Sequence, residues 1–233
     1  ASIKKNAKKF IFCSSMARYG NQQNPFREEM PTKPEDPYGL AKTASEEIVK
    51  NLCDIHDLDW TILIPHNIVG PRQKYNDPFR NVMSIFLHKM IRNEQVYIYG
   101  DGSQKRCFSY VDDCIDCMEQ SLIVKEASKE IINIGPDEET ITIKELAQLC
   151  SNEVGHNKEP IFVPSRPQEV KFATCSSDKA RKLLGYNTKY TLKESIHKTA
   201  DFIRSNGIKE FEYHIDLEIK NELTPNTWKK KLI

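Results

Sequence analysis

The chain has 233 residues and carries 34 lysines and arginines against 33 aspartates and glutamates. That length holds one large domain or two small ones, and the near-cancelled charge excludes the strong basic field of a nucleic-acid or anionic-membrane binder. No apolar run reaches the length of a membrane span and the lysine-rich start lacks a signal-peptide core, while seven cysteines, an odd number, do not make a disulfide framework, so a reducing, cytoplasmic setting is expected.

Phe10-Ile11-Phe12-Cys13 is apolar without alternation, which predicts a strand covered on both faces, as in a parallel sheet. The polar stretch SSMARYG, from Ser14 to Gly20, follows it. Ligands of such sheets sit beyond the carboxyl ends of the strands, so Ser14 and Ser15 occupy a place where chemistry is expected. Asp36 is a good N-cap and Pro37 a good first helical residue; Ala41, Ala44, Ile48, Leu52 and Ile55 then recur on one helical face. Strands are predicted at WTILIP, VYIYG, IINIG and IFVP, with helices over 78–92, 111–124, 143–153, 177–184 and 192–205. Alternation of this kind predicts an α/β protein with crossover connections. Cys114 and Cys117 form a lone CxxC inside a helical stretch without a second pair, which reads as helix packing, and no metal site is expected. The end, from Glu210 to Ile233, mixes charges and aromatics without a firm period.

Tyr38 and Lys42 stand four residues apart in PYGLAK, on one helical face. An ammonium beside a phenol favours the phenolate, which suits a tyrosine to act as a base. Ser15, at the end of the neighbouring strand, is then placed to hydrogen-bond the same substrate oxygen. A dinucleotide site also needs a glycine-rich turn between a first strand and a helix, so that backbone N–H groups can approach the pyrophosphate. The nine glycines do not form that fingerprint.

SSMARYG, PYGLAK, PHNIVGPRQ, GDGSQKRCFSYVDD and RPQEV followed by SSDKARKLLGY, in this order from about Phe10 to Tyr190, resemble the extended short-chain dehydrogenase/reductase family, specifically its NAD-dependent nucleotide-sugar epimerases and dehydratases. The resemblance implies a Rossmann-like, doubly wound parallel sheet with a smaller α/β carboxyl-terminal substrate domain. Residues 1–75 would belong to the NAD-binding domain, 76–210 mainly to the substrate domain with some segments returning to the sheet, and 211–233 to a tail. In the family the glycine fingerprint and the acidic residue that holds the adenosine ribose lie on the first strands. The expectation is therefore that this chain corresponds to the last two-thirds of such an enzyme.

Roles carried over by the resemblance make Ser15, Tyr38 and Lys42 the catalytic set, with Tyr38 as general acid/base and Lys42 on the nicotinamide ribose. Cys13, Ser14 and Pro65 would line the nicotinamide side. Asn67 would contact the diphosphate-sugar, and Asn81 and Val82 would open a helix beneath the diphosphate, where helix-terminal N–H groups favour anions. Arg106 and Arg166 would neutralise the diphosphate. Tyr97 and Tyr99 would edge the nucleobase, Phe108 and Glu169 its ribose, and Ala173 would border the sugar's C2 substituent. Ile64 and His66 depart from the family's frequent arginine and aromatic residue; His66 is read as a packing residue.

Related dehydratases and decarboxylases carry acidic residues between the serine or threonine and the Tyr-Gly, and a 3,5-epimerase needs an acid/base there. Met16 and Ala17 stand at those places and cannot exchange a proton. The expected activity is thus a 4-epimerase working through a transient 4-keto sugar; the resemblance implies UDP-hexoses as substrates, UDP-N-acetylhexosamines among them where Ala173 leaves room, and a homodimer. A dehydratase, reductase or decarboxylase of the same family, or a non-catalytic nucleotide-sugar-binding protein, are the alternatives.

Overall fold

The computed structural model describes every residue except 167–169, 215, 223 and 233. The chain folds as two compact units that interleave along the sequence. The first comprises Ala1–Ile68, Cys107–Thr140 and Phe172–Lys189, and the second Val69–Arg106, Ile141–Lys171 and Tyr190–Ile233.

In the first unit the strands Lys9–Cys13, Asp59–Pro65 and Glu130–Ile134 form a parallel sheet with Asp59–Pro65 in the middle. Cys13 pairs with Leu63, and Leu63 with Ile132. A middle parallel strand is covered on both faces, and Ile62, Leu63 and Ile64 are fully buried. Helices Val111–Ile123 and Asp178–Leu184 contribute Cys114, Cys117, Ala180 and Leu184 to one core with Leu63, Ile132 and Ile134. The CxxC cysteines therefore pack within this core, both raised to a pKa of about 12 by burial.

Helix Pro37–Ile55 begins where Asp36 and Pro37 predict; the Asp36 carboxylate accepts from the Gly39 N–H at 2.6 Å. Its buried residues, however, are Gly39, Thr43, Glu46 and Cys53. The apolar stripe read from the sequence lies open on the first unit, with Ile48, Leu52 and Ile55 exposed. Small and polar residues occupy the buried face, and Glu46 among them binds the preceding segment, as described below.

In the second unit, helices Val82–Ile91, Ile143–Val154 and Leu192–Ser205 pack on one another. Met83, Phe86, Leu87, Leu146, Ile196 and Ile203 are buried among them. Strand Tyr97–Tyr99 pairs in parallel with Ile161–Val163. The helix predicted from residue 78 starts only at Val82. The Asp77 carboxylate accepts from the Phe79 N–H at 2.9 Å and the Asn81 side chain caps Met83 N–H at 3.1 Å, so the preceding residues turn rather than coil. The carboxyl-terminal segment docks: the Phe211 ring meets His88 edge-on with centroids 4.6 Å apart, and Glu212 N–H donates to Asn76 at 2.8 Å. Among the described residues no helix is long and apolar enough to cross a membrane.

Candidate active site

The site is built from the carboxyl end of the parallel sheet. Strand pairing continues one residue past Cys13, with Ser14 N–H donating to Leu63 O at 2.8 Å, and on the other side His66 N–H donates to Ile134 O at 3.0 Å. Cys13, Ser14, Pro65 and His66 thus stand at adjacent strand ends. SSMARYG then winds into a short 3-10 turn, Met16–Tyr19, capped by Ser15, whose Oγ accepts from Ala17 N–H at 3.2 Å. A hydroxyl that accepts in this way keeps its own proton for a ligand.

The turn is held from below. Tyr19 is fully buried, stacks on Phe26 at 5.0 Å and donates to Asn133 Oδ1 at 2.8 Å. Burial raises its pKa, which keeps this phenol out of proton exchange at neutral pH. Gly20 has φ +59°, and a Cβ there would lie 1.9 Å from Lys33 O, so glycine is required where the segment leaves the site.

Helix Pro37–Ile55 brings Tyr38 and Lys42 to this turn. Gly39 permits the approach, since a Cβ on it would stand 2.8 Å from Ala17 O. Lys42 Nζ donates to Cys13 O at 2.8 Å and lies 5.8 Å from the centre of the Tyr38 ring. Tyr38 is 56% exposed, as a group that must reach a ligand should be. Ser15, Tyr38 and Lys42 are therefore gathered at one strand end with Cys13 and Ser14.

Asn67, in a left-handed conformation with φ +33°, donates through Nδ2 to Cys107 O at 2.9 Å, one residue before the buried Phe108. Ala173 is buried; the Asn24 carboxamide donates to Phe172 O at 2.8 Å and accepts from Thr174 N–H at 2.9 Å, bracketing it. His66 is fully buried, and burial drives its pKa down to about 3, which agrees with a packing residue.

The second unit holds the remaining candidates. Asn81 and Val82 cap and open helix Val82–Ile91. Arg106 donates through Nη2 to Val170 O at 2.6 Å and through Nη1 to Lys105 O at 2.7 Å. The Arg166 guanidinium lies 4.7 Å from the centre of the Tyr99 ring, and the Tyr99 hydroxyl shares a hydrogen bond with Thr227. Tyr97 lies half-buried on the same strand as Tyr99. Glu169 lies outside the described residues.

Sequence reasoning missed Glu46 and gave no account of Arg18. The two form a buried ion pair, Arg18 Nη2 to Glu46 Oε2 at 3.0 Å, and Glu46 also accepts from Ser14 Oγ. The available signal was the recurrence of Tyr38, Lys42 and Glu46 at four-residue intervals.

A parallel sheet with crossover helices and hydroxyl, phenol and ammonium groups at its carboxyl end has the architecture of a Rossmann-like α/β protein of the short-chain dehydrogenase/reductase type. Residues 1–199 match the family model described as GDP-mannose 4,6 dehydratase, and the chain belongs to that family. It is similar to the UDP-glucose 4-epimerase of Mycolicibacterium smegmatis, 32% identical over 78% of this chain and 57% of the relative. The crystal structure of UDP-glucose 4-epimerase from Thermotoga maritima with UDP-glucose superposes with a TM-score of 0.81 at 33% identity, covering 88% of this chain and 66% of that one. UDP-glucuronic acid 4-epimerase from Bacillus cereus, in complex with UDP-glucuronic acid and NAD, gives 0.79 at 28% identity over 85% and 62%. The chain thus spans less than two thirds of the length of these relatives.

Proposed function

We propose that the full-length protein is a nucleotide-sugar 4-epimerase acting on UDP-hexoses with bound NAD. The observation that carries the reading is the gathering of Ser15, Tyr38 and Lys42 at one strand end, with Lys42 Nζ 2.8 Å from Cys13 O. An ammonium has three N–H donors and the Cys13 carbonyl uses one, so the donor set suits ribose hydroxyls. Lys42, together with Cys13, Ser14 and Pro65 at the adjacent strand ends, would hold the nicotinamide end of NAD. When bound, NAD supplies the acceptor for the C4 hydride and gives the hydride back.

Tyr38 takes the proton of the sugar's C4 hydroxyl as C4 becomes a ketone, and returns it to the same oxygen after the sugar has presented its other face. Ser15 donates a hydrogen bond to that oxygen through the proton its capping role leaves available. Lys42 stabilises the phenolate that abstracts the proton. Met16 and Ala17 follow Ser15 in the turn and offer no acid to divert the ketone toward elimination or decarboxylation, which favours epimerisation. Asn67, Asn81, Val82, Tyr97, Tyr99, Arg106, Phe108, Arg166, Glu169 and Ala173 are assigned to the UDP-sugar.

The exposed Leu40, Ile48, Leu52 and Ile55 on helix Pro37–Ile55 support a homodimer, and seven free cysteines support a reducing cytoplasm. The test is incubation of the purified full-length protein with UDP-galactose and separation of the products. UDP-glucose as the product supports the reading; a dehydrated or decarboxylated product, or no product, overturns it.

A further inference from the structure

Glu46 follows Tyr38 and Lys42 on the same helical stripe but takes no part in the reaction proposed above. Tyr38 is 56% exposed, whereas Glu46 is fully buried. A carboxylate is buried at high cost unless it is paired and hydrogen-bonded on both oxygens. Both oxygens of Glu46 are taken by one short segment. Oε1 accepts from Ser14 Oγ, and Oε2 accepts from Arg18 Nε at 3.1 Å and Nη2 at 3.0 Å. Arg18 is itself 3% exposed, its guanidinium 4.9 Å from the centre of the Tyr19 ring. Ser14 and Arg18 stand on either side of Ser15.

We propose that Glu46, with Arg18 and Ser14, is a positioning residue that sets the Ser15 hydroxyl in register with Tyr38 and Lys42; the inference rests on the reading of those three as the catalytic set. The helix meets the segment at three successive turns. Gly39 leaves room for Ala17 O, which a Cβ there would meet at 2.8 Å, Lys42 binds Cys13 O and Glu46 binds Ser14 and Arg18. The first is a close approach that the missing Cβ allows, and it supplies no directional bond. The second uses the ammonium that must also serve the ribose. Of the three, the Glu46 contact alone grips the segment on both sides of Ser15, and charge-assisted hydrogen bonds of this kind fix direction as well as distance. An apolar pair would fill the same volume without setting the register.

The test uses the full-length protein with Glu46→Gln, Ser14→Ala and the paired variant Arg18→Met/Glu46→Leu, which removes the ion pair while keeping its volume and guards against a single variant that does not fold. Two measurements are made: steady-state turnover of UDP-galactose, and hydrogen exchange of the peptide spanning residues 14–19. Positioning predicts that the paired variant folds, that its kcat falls at least about tenfold while KM changes less than about twofold, and that exchange in the turn accelerates while the sheet strands stay protected. Ser14→Ala, which removes one of the anchors, should fall between wild type and the paired variant on both measurements. Wild-type kcat with wild-type exchange in the paired variant overturns the proposal, as does loss of protection spread evenly over the first unit, which marks a purely structural pair. If the wild-type protein turns over no UDP-hexose, the proposed function fails, and unchanged exchange in the turn of the paired variant would then separately refute the positioning role.

Discussion

Lys42 Nζ donates to the carbonyl oxygen of Cys13 at 2.8 Å, tying the second turn of helix Pro37–Ile55 to the last residue of the first strand. The bond places a cation at the carboxyl end of the sheet without burying it. Tyr38→Phe, which deletes the phenol oxygen, should lower turnover at least about a hundredfold and leave UDP affinity within about twofold, since Tyr38 is assigned to the sugar's C4 hydroxyl and not to the nucleotide. Lys42→Met should reduce turnover comparably, because both the partner of the phenolate and the tie to Cys13 are lost. Steady-state kinetics with UDP-galactose and calorimetric titration with UDP separate the two quantities. Wild-type turnover in Tyr38→Phe would remove the assignment.

Gly39 makes a second connection between the same helix and the turn. Alanine is ordinarily favoured over glycine inside a helix by about 1 kcal/mol. Here the added methyl group would stand 2.8 Å from Ala17 O and 3.0 Å from Pro34 Cβ, and overpacking against backbone costs about 1–3 kcal/mol. The steric term wins, so Gly39→Ala should lower the free energy of unfolding by about 1 kcal/mol and reduce kcat. Urea unfolding read by circular dichroism measures the first quantity. A stabilised variant would show that the turn yields to the helix.

His66 makes stability depend on pH in a definite direction. Burial holds its folded-state pKa at about 3, against an ordinary value of 6.5, with Asp137 partly opposing the shift. A depressed pKa means that the unfolded chain takes up the proton first. The contribution is therefore complete above pH 6.5 and is lost as pH falls toward 3, with a slope of about 1.4 kcal/mol per pH unit. His66→Gln should remove this dependence. Between about pH 7 and about pH 5, wild type should lose about 2 kcal/mol more than the variant. Parallel urea midpoints for the two proteins across that range would contradict the burial-driven shift.

Arg106 and Arg166 serve the diphosphate in this reading but are anchored differently. Arg166 stacks on Tyr99, whereas Arg106 also holds the carbonyls of Val170 and Lys105. Loss of a charge-assisted hydrogen bond costs about 1.5–3 kcal/mol, so Arg166→Ala should weaken UDP about tenfold to a hundredfold. Arg106→Ala should weaken it further, because the segment that follows residue 169 is released as well. Calorimetric titration with UDP decides this, and unchanged affinity in both variants would return the arginines to the surface.

The start of helix Pro37–Ile55 was legible because Asp36 and Pro37 act locally: one caps an N–H group and the other supplies a preset φ. Which face of that helix is buried was not legible. Ala41, Ala44, Ile48, Leu52 and Ile55 form the apolar stripe that periodicity selects, yet the close approach at Ala17, Ser14 and Arg18 calls for Gly39 and Glu46 on the other face. Arg18 and Glu46 are 28 residues apart in sequence, and nothing in either neighbourhood announces the other. The same holds for Asn24, which reaches Phe172 and Thr174. Residues read through family motifs, such as Ser15, Tyr38 and Lys42, were found together because their motif encodes a distant contact that periodicity does not.

The bracketing of Ala173 by Asn24 leads to a prediction about the sugar. The two hydrogen bonds, to Phe172 O and from Thr174 N–H, fix the backbone on both sides of Ala173, which is 7% exposed. A backbone held this way cannot swing aside, and packed surroundings do not yield freely to added bulk. A phenol ring at this position would take the room assigned to a C2 substituent, whereas the methyl group leaves it open. The full-length protein should therefore epimerise UDP-N-acetylglucosamine as well as UDP-glucose, with kcat/KM values within about tenfold, a span of about 1.4 kcal/mol in transition-state binding. Ala173→Tyr should lower turnover of the acetylated sugar by at least about a hundredfold and spare the plain hexose, because only the acetamido group competes for the volume. Asn24→Ala, which releases the backbone, should relax the discrimination shown by the tyrosine variant when the two substitutions are combined. Competition between the two substrates in one reaction reads the ratio directly. Rejection of the acetylated sugar by wild type, or equal use of both sugars by Ala173→Tyr, would show that the space around C2 is bounded by another residue.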